Sequence, residues 1–293
     1  ILRKARIDEV MFFVPHAEER SPGLGTDADQ AVQTRLLRPL FARLRKAGIA
    51  PSINIWWTMG FSHFSGMQRD LRDRFAFRWA VNPEGVTSRA VACPADPAWL
   101  DQAARMYAVY AGLKPVNLWI DDDVHPTLRA DLHSACFCEV CLAEMARRTG
   151  RDRTRAEWMK AILADPPNPV REAWLAYQGE LDLAIITRLA RAVHAVSPAT
   201  RVSLMHSLVE LHGAEGRRWP EVFAALGTPA PMTRPGLGCY NEGTAFAVAE
   251  GLGFAIPVNT ARAVAEQIIQ KGYFARPKIG ISWQFVTPAL AAR

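Results

Sequence analysis

Val116-Asn117-Leu118-Trp119-Ile120-Asp121-Asp122-Asp123 is a short apolar run that ends in three consecutive carboxylates. A run so short and so apolar reads as a buried strand, and the charges mark where it leaves the core. Working outward, comparable runs stand at Glu9 to Val14, Ile53 to Thr58, Arg89 to Cys93, Arg201 to Met205, Pro231 to Arg234 and Lys278 to Ser282. Helical spacing separates them, over about 29–47, 97–111, 170–196, 219–226 and 260–271. Leu37, Leu40, Phe41 and Leu44 line one face of the first helix, Pro39 is expected to kink it, and Gly48 ends it. Short strands alternating with amphipathic helices imply a parallel sheet with helices outside it. The expected fold is an α/β (β/α)8 TIM barrel whose last βα unit is either lacking in this chain or not recognisable in its sequence. A doubly wound open sheet is the alternative, weakened because no GxGxxG follows the first strand.

The gross numbers narrow the class. The chain has 293 residues, 49% hydrophobic and 22% charged, an ordinary globular balance. No apolar run approaches the roughly 20 residues needed to span a bilayer. The net charge is +6, but the arginines are scattered over helix faces and no nucleic-acid motif accompanies them. A single catalytic-type domain over residues 1–293 is expected, with an inserted zinc-binding loop at about 125–145.

Cys136, Cys138 and Cys141 form a C-x-C-x-x-C run, and the other cysteines are Cys93 and Cys239. An odd number with three clustered is a poor disulfide framework and a good thiolate metal site. A structural zinc ion takes four ligands. Cys93 is the expected fourth, because it ends the strand before Val116 to Ile120. His125 and His133 are nearby substitutes, and Cys239 reads as a buried free thiol. The competing reading is a set of small buried cysteines without metal. Thiolate ligation favours a reducing, cytoplasmic compartment.

The acidic strand end is the second chemical signal. In a regular strand Asp121 and Asp123 share one face and Asp122 opposes it. Crowded carboxylates repel, so at least one is expected to titrate high and to serve as a general acid. Other strand ends offer Asn54, Trp56, Trp57, Arg89, Trp119, Met205, His206, Ser207, Arg234, Tyr240, Asn241 and Glu242. Indole faces beside hydrogen-bonding groups suit a polyhydroxylated ligand.

Over about Gly85 to Gly150 the order and spacing of these features resemble glycoside hydrolase family 42, the β-galactosidase-like barrels. That family places an arginine four residues before a zinc cysteine on strand three, as with Arg89 and Cys93. It ends strand four with Asn-Glu, where this chain has Asp122-Asp123, and then carries the C-x-C-x-x-C run. The resemblance implies Asp123 as acid/base, Asp122 on the hydroxyl beside the anomeric carbon, and Arg89 as a positioning group. It implies structural zinc on Cys93, Cys136, Cys138 and Cys141, a carbohydrate substrate, and a homo-oligomer by analogy. No nucleic-acid or membrane partner is expected. The chain departs from the family in having an aspartate for the glutamate. It also has Ser282-Trp283-Gln284 where the strand-seven nucleophile belongs, so Glu242 is the substitute nucleophile. The alternatives are an inactive carbohydrate-binding barrel and a metal-dependent hydrolase using Asp121, Asp123 and His125.

Overall fold

The computed structural model describes residues 7–14, 24–56, 58–59, 70–124, 135–206 and 215–235. Its strands are β1 (Glu9–Val14), β2 (Ala50–Ile55), β3 (Trp79–Val81), β4 (Thr87–Ala92), β5 (Asn117–Ile120), β6 (Arg201–His206) and β7 (Thr233–Pro235). Its helices are α1 (Asp27–Lys46), α2 (Pro97–Ala111), α3 (Glu139–Thr149), α4 (Arg155–Leu163), α5 (Pro169–Val196) and α6 (Trp219–Leu226). Five strands make one parallel sheet in the order β1-β2-β5-β6-β7.

Side chains alternate across that sheet, and the register sorts them into two faces. Phe12, Val14, Ile53, Ile55, Leu118, Ile120, Val202 and Leu204 form one apolar face. They pack against Leu37 and Phe41 of α1, Tyr107 and Tyr110 of α2, Ile186 and Leu189 of α5, and Val222 of α6. The opposite face is polar and carries Ser52, Asn54, Asn117, Trp119, Arg201, Ser203 and Arg234. Hydrogen bonds satisfy the lower part of this face. Asn117 Nδ2 donates to Glu9 Oε1 at 2.8 Å, and Arg201 Nη1 donates to Asn117 Oδ1 at 3.1 Å.

Local chemistry sets the helix boundaries. Thr26 and Asp29 close a capping box at the start of α1. Asp96 caps α2, with Pro97 in its first turn, where a missing N–H costs nothing. The expected kink at Pro39 does not break α1, which runs unbroken from Asp27 to Lys46. Pro39 lies on the exposed side of the helix, so water can satisfy the carbonyl it leaves unpaired.

One strand belongs elsewhere than its sequence suggests. The run Arg89 to Cys93 falls mostly in β4, which pairs antiparallel with β3 in a separate hairpin. β2 pairs directly with β5, so the acidic segment ends the third strand of the described parallel sheet, not the fourth. A short apolar run looks the same in a barrel strand and in one half of a buried hairpin, so periodicity does not separate them. The expected strand at 278–282 and helix at 260–271 lie outside the described residues.

Candidate functional site

The β2-to-α2 and β5-to-α5 connections both leave the C-terminal ends of neighbouring strands. The first carries the β3-β4 hairpin and Cys93. The second carries Asp121–Val124, the cysteine run, α3 and α4.

Asp121 follows β5 directly and continues the alternation of Trp119, which places it on the polar face. Asn54 Nδ2 donates to Asp121 Oδ2 at 2.9 Å, and the Asp122 amide donates to Oδ1 at 2.7 Å. The side chain is 3% exposed. Burial, with the neighbouring charge of Asp122, pushes its carboxyl up to about 7. The hydrogen bonds and the charge of Arg234 oppose that rise without cancelling it. Asp122 is half-buried, and Asp123 is fully buried. Asp123 Oδ2 accepts the Met59 amide at 2.7 Å, which ties the loop after β5 to the loop after β2. Beside that tie, Thr58 shares a 2.8 Å hydrogen bond with the Tyr107 hydroxyl, and Trp99 Nε1 donates to the Thr58 carbonyl at 3.1 Å.

The four cysteines converge. Cys93, Cys136, Cys138 and Cys141 are all buried, and their sulfurs lie within 4.8 Å of one another. Cys93 Sγ is 3.6 Å from Cys138 Sγ and 3.7 Å from Cys141 Sγ. A tetrahedron with metal–sulfur bonds of about 2.3 Å has edges of about 3.8 Å, so these spacings fit four ligands on one ion. They are far beyond the disulfide length of about 2.0 Å. Without a cation the thiols compete: hydrogen bonding with Cys136 pushes Cys93 and Cys141 up and Cys138 down. The pocket has its own core of Val91, Phe137, Met145, Trp158 and Trp174. The Phe137 amide donates to the Val81 carbonyl at 2.6 Å, joining the cysteine loop to β3.

Not every expected residue joins this arrangement. His206 falls on the helix face of β6, where its ring centroid lies 4.9 Å from that of Trp219. Arg89 is exposed on the hairpin, where its charge helps hold the Asp70 carboxyl low, a minor influence beside the hydrogen bond from Arg72. Trp119 and Arg234 do lie on the polar face with Asn54 and Asp121. Trp57, His125, His133, Ser207, Cys239, Tyr240, Asn241, Glu242 and Ser282 to Gln284 lie outside the described residues.

Sequence reading missed a buried ionic cluster of Asp182, Glu215 and Arg217. Arg217 Nη2 donates to Asp182 Oδ1 at 2.9 Å and to the Val124 carbonyl at 2.6 Å. Its partners come from α5 and from the loop after β5, so no local pattern could have revealed it.

No protein-family model and no curated protein sequence matches the chain. Solved structures do match. The catalytic domain of β-amylase from Paenibacillus polymyxa aligns with a TM-score of 0.53 at 10% identity, over 93% of this chain and 78% of that one. The PgaB (BpsB) glycoside hydrolase domain from Bordetella bronchiseptica aligns with a TM-score of 0.51 at 16% identity, over 90% and 81%. A β-galactosidase from Bacillus circulans sp. alkalophilus aligns with a TM-score of 0.46 at 13% identity over 70% of this chain, which spans 33% of its length. At these identities the likeness to the first two is one of fold. The chain therefore has the fold of the barrel glycoside hydrolases, and the parallel sheet is part of a (β/α)8 barrel. Among the described residues no helix is long and apolar enough to cross a membrane.

Proposed function

We propose that this chain is a glycoside hydrolase whose acid comes from the segment Asp121–Asp123. The observation that carries this reading is the Asp121 carboxyl, buried at the C-terminal end of a barrel strand and raised to about 7. A general acid must hold its proton at working pH, and burial beside like charge achieves that. Barrel active sites lie at this end of the strands. Asn54, Trp119 and Arg234 on the same face supply the aromatic and hydrogen-bonding groups that suit a sugar. The two structures with matching folds are named as a β-amylase catalytic domain and a glycoside hydrolase domain, which supports a carbohydrate substrate.

Within the segment, the family resemblance favours Asp123 as acid/base, whereas the surroundings favour a bound proton on Asp121. Asp122 is the proposed sugar-positioning group, Glu242 is the proposed second carboxylate, and the expected specificity is β-galactosidase-like. A panel of aryl glycosides led by aryl β-galactosides tests this with wild type, Asp121→Asn and Asp123→Asn. Loss of a general acid costs about 100-fold or more in turnover, so the damaged variant names the acid. Equal turnover in all three, or none in wild type, rejects the reading.

The four thiolates are proposed to hold zinc in a structural role. A site closed by four sulfurs has no open position for water or substrate. Elemental analysis of the purified chain should give one zinc per molecule, retained in Asp121→Asn and lost in Cys138→Ser. A thiolate site of this kind favours a cytoplasmic location.

A further inference from the structure

We propose that Arg217 is a positioning residue that holds the acidic segment after β5 from behind, with Asp182 and Glu215 as its counter-charges. Its relevance to catalysis rests on the reading of Asp121–Asp123 as the acid-bearing segment; its geometry does not.

One nitrogen, Arg217 Nη2, serves two acceptors: Asp182 Oδ1 at 2.9 Å and the Val124 carbonyl at 2.6 Å. Val124 is the residue next to Asp123, so the guanidinium fixes the far end of the acidic run. Glu215 Oε2 lies 3.7 Å away, and all three side chains are at most 1% exposed. The Trp219 ring covers the guanidinium, with its centroid 5.3 Å from Arg217 Cζ.

The arrangement is poor as a charge pair. Arg217 Nε and Asp182 Oδ2 are both buried without a hydrogen-bond partner among the described residues. A guanidinium facing a carboxylate fork to fork would satisfy both atoms. Here it is turned so that Nη2 also reaches Val124. Burying an ion cluster is costly, and apolar side chains commonly fill such space with no loss of stability. None of them would hold a carbonyl at a fixed distance.

The backbone is shaped to bring Arg217 there. Gly216 has φ +64°, and a Cβ on it would sit 2.1 Å from the Leu175 carbonyl oxygen. A Cβ on Gly179 would sit 2.2 Å from the Gly216 carbonyl oxygen. Two glycines thus let the Glu215–Arg217 segment press directly onto α5, beside Asp182.

Two variants of the full, metal-loaded chain test the role. Arg217→Met removes charge and donor together. Arg217→Lys keeps a cation beside Asp182 but lacks the planar fork that reaches two acceptors. Amide hydrogen exchange over 118–124 should rise about tenfold or more in both variants, while α2 stays within about twofold of wild type. The Asp121 carboxyl, followed by carbon NMR and identified by its loss in Asp121→Asn, should titrate lower as water re-enters. Wild-type protection and an unchanged Asp121 titration in Arg217→Lys would reduce Arg217 to charge balance and overturn the proposal. A uniform rise across α2 and β2 would overturn it too, as plain destabilisation. If Arg217→Met does not fold, Arg217→Lys decides alone. Neither readout involves a sugar, so failure of the glycosidase reading leaves this result interpretable.

Discussion

Burial takes the Asp121 carboxyl out of water, and Asn54 with the Asp122 amide returns only two hydrogen bonds. The folded chain therefore keeps a proton that the unfolded chain releases above its ordinary value of 3.8. The sign follows by linkage: this group costs nothing below about pH 4, costs progressively more as pH rises, and levels off above about 7. Asp121→Asn removes that dependence. Its stability relative to wild type should improve by about 2 kcal/mol between about pH 5.5 and about pH 8.5, read from urea melts at the two values. Asp182 is also pushed up to about 7 by burial, but it is present in both proteins and drops out of the difference. Parallel behaviour of the two proteins would show that Asp121 is ionised throughout. The raised carboxyl was legible in the sequence because three adjacent aspartates on an apolar strand cannot all ionise cheaply. Which of them is raised was not legible. That depends on how deeply each is buried, which is set by segments far apart in the chain: Asn54, which packs against Asp121, lies 67 positions away.

Elements show the same division. The cysteine run was readable because three residues on one turn fix their own proximity, whereas Cys93 joins them only through the β3-β4 hairpin. The Arg89 to Cys93 run reads as a barrel strand yet forms one side of the hairpin, since its apolar length carries no sign of direction. The contact of α5 with the segment before α6 was not readable at all, because a glycine gives no hint of what will approach it. Its energetic weight is large. Gly216→Ala places a Cβ against backbone that cannot move aside and forces a positive φ on a residue that resists it. Strain and overpacking each cost about 1–3 kcal/mol, so the variant should lose about 3 kcal/mol or more in chemical denaturation. Gly48→Ala is the control, for it has φ +72° but open space around it. If the two variants lose equally, φ alone accounts for the cost and the close approach to α5 does not hold.

Across the whole described molecule, the loops after β2 and β5 are joined by two links of different chemistry. Asp123 binds the Met59 amide at the sheet end, and the four sulfurs gather the hairpin and the cysteine loop further out. The outer link stands on its own apolar cluster, which shares no residue with the core between the sheet and helices. Removing the proposed zinc should therefore act regionally. The four sulfurs would be left crowded in a dry pocket without the cation that gathers them, and a structural metal contributes directly to the folding of the segment it binds. The strands of the parallel sheet, α1, α2 and the C-terminal half of α5 keep their own contacts. Chelation of the full chain should thus speed amide exchange in 79–93 and 135–149 while leaving α1 and the inner strands near their original protection. Restoring zinc should reverse it. Cooperative loss of protection everywhere would mean that the barrel depends on the ion for its stability. No change anywhere would mean that the apolar cluster, and not the metal, holds the loops together.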